Sequence, residues 1–108
     1  MKALSDPSRV RALKLLEGLD LCVCELQLLL GLAQSTVSKH MKTLEDAGLV
    51  VGERQGAWII YRLAEGDESE YAANMLEKIP GWLNDDQELA LMRLKIPEAQ
   101  ALRDTWPR

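Results

Sequence analysis

The sequence predicts a mostly α-helical chain with one β-hairpin, an α+β domain, and three observations carry that reading. Three short apolar-periodic segments are separated by turns of a few residues as far as Gly48. A Gln55-Gly56 turn signal then separates two runs of strand formers, and helical periodicity returns from about Asp67. At 108 residues there is room for one modest core and not for two. Helices joined by turns this short cannot lie parallel, so they cross steeply as in a helix-turn-helix, with the hairpin as a wing.

Ser5-Asp6-Pro7 is a helix start, a capping side chain followed by Pro at the first helical position. The helix it opens puts Val10, Leu13 and Leu16 on one stripe, spreads Arg9, Arg11 and Lys14 around it, and ends at Gly18. A second helix runs from about Cys22 or Val23 to Leu30, with Gly31 as a left-handed cap. Gln34 to Ala47 forms the third, closed by Gly48. Leu49-Val50-Val51 begins a strand, and Ala57 to Leu63 is its hairpin partner. In the next helix Tyr71, Ala72, Met75, Leu76 and Ile79 share a face until Pro80-Gly81 breaks the run. Asp85 or Asp86 caps a helix Gln87 to Lys95, and Pro97 restarts the chain toward a poorly specified tail. Residues 1–80 read as the winged helix-turn-helix and dimerisation domain, and 81–108 as a helical extension of the same domain.

Apolar residues make up 47% and charged residues 28%, an ordinary globular balance, with no Phe for the core. The net charge of −4 argues at first against a nucleic-acid partner. Its distribution reverses that inference. Residues 1–64 carry eight Lys/Arg against seven Asp/Glu, whereas 65–108 carry five against ten, so the acid lies away from the third helix. No run approaches the roughly 18 apolar residues that span a bilayer, and no signal-peptide pattern opens the chain. The only two Cys are two residues apart, a strained spacing for a disulfide, which points to a reducing, cytoplasmic setting. One His, no nucleophile–base constellation and no phosphate loop give no support for an enzyme.

On the third helix Val37, Met41 and Leu44 form the buried stripe. Ser35, Ser38, Lys39 and Lys42 occupy the opposite face, where short hydroxyls permit close groove approach and lysines reach phosphates or guanine edges. Gln34 is placed for a bidentate adenine contact. A solvated amphipathic helix would also have a polar face, but acids are absent until Glu45 and Asp46. Arg54 and Arg62 flank the Gln55-Gly56 tip, where a wing meets the DNA backbone.

The segment from Ser35 to Val50, followed by Arg54-Gln55-Gly56 and Tyr61-Arg62-Leu63, resembles the core of the ArsR/SmtB family of bacterial metal-sensing repressors. Ala3-Leu4-Ser5-Asp6-Pro7-Ser8-Arg9 is similar to the usual family opening, and the resemblance spans about residues 3–80. It implies a winged helix-turn-helix homodimer that binds double-stranded operator DNA and leaves it when an inducer binds. The implied DNA contacts are Gln34, Ser35, Thr36, Ser38, Lys39, His40 and Lys42 on the third helix and Arg54, Gln55, Gly56 and Arg62 on the wing. His40 sits at a shared family position, for packing or DNA contact. The implied dimer interface is Tyr71, Ala72, Met75, Leu76 and Ile79.

Cys22-Val23-Cys24 alone reads as buried core thiols. Its place at a helix N-terminus, where the dipole lowers thiol pKa, favours a ligand role. Arsenical-sensing members carry Cys-Val-Cys here with a third Cys three residues on. Cys22 and Cys24 match the first two, and position 27 is Gln. As(III) or Sb(III) is therefore the expected inducer, held by Cys22 and Cys24 with an exogenous or non-thiol third ligand. The zinc-sensing branch uses Asp and His on the dimer helix, and residues 67–80 contain no His. Residues i and i+2 of an α-helix point about 200° apart, so chelation is expected to pull the helix start out of α geometry and misplace the reader. Two alternatives remain: a thiol redox-sensing repressor on this fold, and a winged-helix protein-interaction module.

Overall fold

The computed structural model describes residues 6–56, 58–66 and 69–105. The expectations placed on Ala3 to Ser5, on Ala57 and on Asp67 lie outside the described residues. The element order is α1 (Pro7–Leu15), β1 (Leu21–Cys22), α2 (Val23–Leu30), α3 (Gln34–Asp46), β2 (Val50–Gln55), β3 (Trp58–Leu63), α4 (Glu70–Lys78), a 3-10 turn (Ile79–Gly81), α5 (Gln87–Leu94) and α6 (Ile96–Thr105). This is a winged helix-turn-helix, with α2 and α3 packed on each other and β2–β3 as the wing.

Local chemistry sets most boundaries. Asp6 caps α1, its carboxylate accepting from the Ser8 N–H at 2.8 Å, with Pro7 at the first helical position. At the far end of α3 the Gly48 N–H donates to Glu45 O and the Leu49 N–H to Leu44 O, with Gly48 at φ 78°. That is a Schellman ending, and Leu44 and Leu49, both fully buried, supply its apolar contact. Ser69 caps α4 and Asp86 caps α5 by accepting from Ala72 and Leu89 N–H.

Two elements differ from the sequence expectation. Leu21 and Cys22 form a short strand that pairs antiparallel with Tyr61 and Ile60, giving a three-stranded sheet of order β1-β3-β2. Two residues are too few for periodicity to reveal, and the strand exists because β3 offers it a free edge. The tail that the sequence specifies poorly is a helix: α6 packs along α2 and buries Ala99 completely. Pro97 falls in the first turn of α6, where a missing N–H costs nothing.

One core joins the two ends of the chain. Leu13 and Leu16 beside α1, Leu26 and Leu29 of α2, Val37, Met41 and Leu44 of α3, and Ile79, Leu89 and Ala99 from the C-terminal part all belong to it. Lys14, expected among the basic residues spread around α1, is only 2% exposed. Its ammonium donates to Ile79 O at 3.0 Å and pairs with Glu17 at 2.6 Å, so the buried charge is satisfied. No helix among the described residues is long and apolar enough to cross a membrane.

Candidate functional site

The strand-to-helix junction at Cys22 builds the thiol site. Cys22 has an extended backbone (φ −86°, ψ 168°) because it still pairs with Ile60, and it is the N-cap of α2. The cap is reciprocal: the Cys22 N–H donates to Glu25 Oε1 at 2.8 Å, while the Glu25 N–H faces the Cys22 sulfur. A thiol thus stands where a capping box has a hydroxyl, and Glu25 is drawn into complete burial. Cys22-x-x-Glu25 keeps that box's spacing with Cys in place of Ser or Thr, and could have located the cap from sequence.

Of the two helix starts the sequence allows, Cys22 or Val23, the structure takes Val23, so only Cys24 lies within α2. With Cys22 at the N-cap, outside the helix, and Cys24 in its first turn, both thiols line the same pocket and pack in the same small cluster. Burial pushes the Cys22 thiol up to about 12, with the Cys24 hydrogen bond and the Glu25 carboxylate acting in the same direction. The facing Glu25 N–H pulls the other way and loses. Desolvation thus overrides the helix N-terminus, and Cys22 is a protonated thiol at neutral pH. Cys22 is buried and Cys24 half-buried, and both pack with Trp58 and Ile60 in a small apolar cluster apart from the main core.

A pocket of about 400 Å³ opens beside the thiols. Cys22, Cys24 and Gln27 line one side, Gln34 and Ser38 of α3 another, and Trp58 of β3 a third. Among the described residues no three His, Cys, Asp or Glu side chains gather to hold a metal ion. The donor chemistry on hand is two neighbouring thiols, which suits a thiophilic, three-coordinate species whose third position is filled from outside. Trp58 and Gln27 carried no role in the sequence reading, and only the β1–β3 pairing and the α2–α3 crossing bring them here.

The residues expected at DNA fall into three groups. Gln34, Ser35, Ser38, Lys39 and Lys42 are exposed on one side of α3, with Thr36 half-buried beside them. Arg54, Gln55 and Gly56 are exposed at the wing tip, where Gly56 takes φ 64°, while Arg62 lies half-buried further down β3 opposite Val51. His40 is turned inward instead: its ring nitrogen lies 3.8 Å from the Asp6 carboxylate, and its side chain is only 15% exposed. It ties α3 to the cap of α1, a packing role. The wing is fixed to α3 by Glu45, whose carboxylate accepts from the Gly52 N–H at 3.3 Å. Position 52 has to be Gly because a Cβ there would meet the Tyr61 ring at 2.8 Å.

The apolar stripe of α4 is divided. Ala72 and Ile79 are fully buried in the protomer's own core, which corrects their reading as interface residues. Tyr71, Met75 and Leu76 remain half-buried. The other two belong to the protomer's single core, with Ile79 in the 3-10 turn that packs on α1.

Comparison with known proteins adds the following. A family model described as "Bacterial regulatory protein, arsR family" matches residues 6–51. The chain is 36% identical to the "Arsenic resistance transcriptional regulator ArsR2" of Pseudomonas putida, over 96% of this chain and 90% of that protein. It is 39% identical to the "Arsenical resistance operon repressor" of Escherichia coli, over 58% of this chain and 55% of that one. In three dimensions it is similar to the homodimeric winged helix-turn-helix DNA-binding domain Mb0332 from Mycobacterium bovis, with TM-score 0.61 and 26% identity over 80% of this chain and 76% of that one.

Proposed function

The chain belongs to the arsR family of bacterial regulatory proteins, DNA-binding transcriptional repressors rather than enzymes, and from that premise we propose that it is a homodimer released from its operator when As(III) or Sb(III) is held by Cys22 and Cys24. The observation that carries this reading is that both thiols line one pocket shared with α3 and pack in one cluster. Each thiol supplies the proton with which a hydroxide of As(OH)₃ leaves as water. Two S–As bonds form, two As–O bonds break, and two waters depart. The protonated state of Cys22 is therefore no obstacle. Neighbouring thiols also favour the second substitution over the first, since the second is intramolecular.

Operator recognition is assigned to the exposed face of α3 and to the wing tip, with phosphate contacts from Lys39, Lys42 and Arg54. Residues 1–80 are taken as the DNA-binding and dimerisation unit, and 81–108 as an extension of the same domain; the packing of α6 on α2 supports its inclusion. Half-site palindromy should match a twofold protein.

The test is release of labelled upstream DNA during titration with As(III), Sb(III), Zn(II), Cd(II) and peroxide. Cys22→Ser and Cys24→Ser are expected to keep operator affinity within about twofold, since Ser caps a helix at least as well. Each should abolish release by As(III), because one thiolate cannot chelate. If the double Ser variant releases DNA as wild type does, or wild type ignores As(III), the sensing site is elsewhere.

A further inference from the structure

Besides the thiols and Gln27, the pocket is lined by apolar Val23, Trp58 and Ile59 and by polar Gln34 and Ser38 of α3. These two side chains sit at i and i+4, one above the other on α3. Their position matters because of what two thiols leave undone. Arsenite brings three hydroxyls; Cys22 and Cys24 displace two, and one As–OH remains. Every other group in contact with that hydroxyl must come from the rest of the pocket lining.

We propose that Gln34 and Ser38 bind this remaining oxygen, which makes them the polar part of the inducer site as well as part of the DNA-reading face; the proposal rests on the As(III) reading above. The chemistry fits. An As–OH group both donates and accepts, the Gln34 amide offers both functions, and the Ser38 hydroxyl turns to suit. Cys22 and Cys24 hold the arsenic from the α2 side, and the oxygen is held from the α3 side. The inducer thus bridges the two helices of the helix-turn-helix, and two side chains offered to the groove are drawn back to it. That supplies a differential interaction: the ligand is bound best in a state where Gln34 and Ser38 are withdrawn from DNA. Gln27 also lines the pocket, but it lies on α2 with the thiols and would hold the oxygen without engaging the reader.

The measurement is affinity of the DNA-free protein for arsenite and for methylarsonous acid, by isothermal titration. In the second compound the third position on arsenic is a methyl group, so no hydroxyl remains after both thiols have reacted. Gln34 and Ser38 are both exposed, so Gln34→Ala/Ser38→Ala is expected to fold normally. The double variant should lose roughly five- to tenfold in arsenite affinity, the scale of one or two hydrogen bonds, and stay within about twofold for methylarsonous acid. Equal losses for both compounds, or no loss for arsenite, overturn the proposal. So does a selective arsenite loss in Gln27→Ala with none in the double variant, which puts the oxygen on α2. Arsenite binding that survives Cys22→Ser/Cys24→Ser refutes the underlying thiol reading, a different result from any of these.

Discussion

At Cys22 the sulfur stands where helices usually place a hydroxyl or carboxylate, and it is almost wholly removed from water (2% exposed). Both facts follow from β1: the strand pairing holds the backbone extended, and the extended backbone makes the residue a cap. The consequence is a marked asymmetry between two thiols only two residues apart. Burial holds Cys22 up to about 12, whereas the half-buried Cys24 is within reach of solvent reagents. We predict that iodoacetamide at pH 8 alkylates Cys24 at least about tenfold faster than Cys22, read by peptide mass spectrometry, since the thiolate is the nucleophile. Equal rates would mean that the thiol is not buried as described. Stability should follow the same sign. The folded value lies above the ordinary 9.0, so the Cys22 contribution is complete below that value and is lost as pH rises toward about 12. Cys22→Ser should therefore flatten the decline of melting temperature between about pH 9 and 11.

α3, the proposed DNA reader, was legible because its two faces differ in kind. Val37, Met41 and Leu44 are fully buried, and the serines and lysines opposite them are exposed, as a period of 3.6 requires. At His40 the sequence left packing and DNA contact both open. That residue lies between the two faces, and only the approach of α1 brings Asp6 within 3.8 Å of it. On the exposed side Lys42 is bridged to Asp46 at 3.4 Å, but both side chains are about two-thirds exposed (70% and 65%). Such a pair is worth little and gives way readily to a phosphate. Lys39→Ala and Lys42→Ala should each lower operator affinity and reduce the slope of log K against log salt by about one. Wild-type affinity and salt dependence in both variants would remove α3 as the reader. The wing should move with α3 rather than independently of it, because Glu45 holds Gly52 and the Tyr61 ring lies over that glycine.

For the whole molecule the question is how much apolar surface remains for a second copy. The chain's two ends share one core: Arg11 pairs with Asp86 at 2.9 Å, Lys14 binds Ile79 O, and Arg93 reaches Glu17 at 3.3 Å. That arrangement consumes Ala72 and Ile79 and leaves Tyr71, Met75 and Leu76 of the α4 stripe half-buried. The proposed homodimer therefore rests on those three. Met75→Glu places a charge in the proposed seam and should give a monomer at micromolar concentration by sedimentation, with operator affinity lowered at least about tenfold because a palindromic site needs both copies. A wild type that sediments as a monomer at that concentration removes the basis for the interface. The Arg11–Asp86 pair sets the acid limit of the same arrangement. The Arg11 hydrogen bond holds the Asp86 carboxyl below its ordinary value, so this contribution is present above about pH 4 and is lost as pH falls further. Asp86→Asn should remove that part of the acid sensitivity, measured as melting temperature against pH.

Local chemistry determined the α-helices up to α5, the wing and the reading face from sequence alone. Periodicity, capping residues and turn glycines act over a few positions, so they are written where they operate: Asp6-Pro7, Gly31, Gly48, Gln55-Gly56, Asp86. The same local signals placed the thiols at the start of α2, and the family resemblance gave them a ligand role. Tertiary structure alone decided what kind of thiols they are. The strand that pulls Cys22 out of the helix exists only because β3, nearly forty residues later, has an unpaired edge. The pocket exists only where α2, α3 and β3 converge, which is why Trp58 and Gln27 had no function in the linear reading. Burial of Lys14 likewise depended on distant chain, the 79–84 segment that brings Ile79 O to its ammonium. Period and spacing report which face of an element is apolar, but not which neighbour covers it, and at this site the neighbour sets the chemistry.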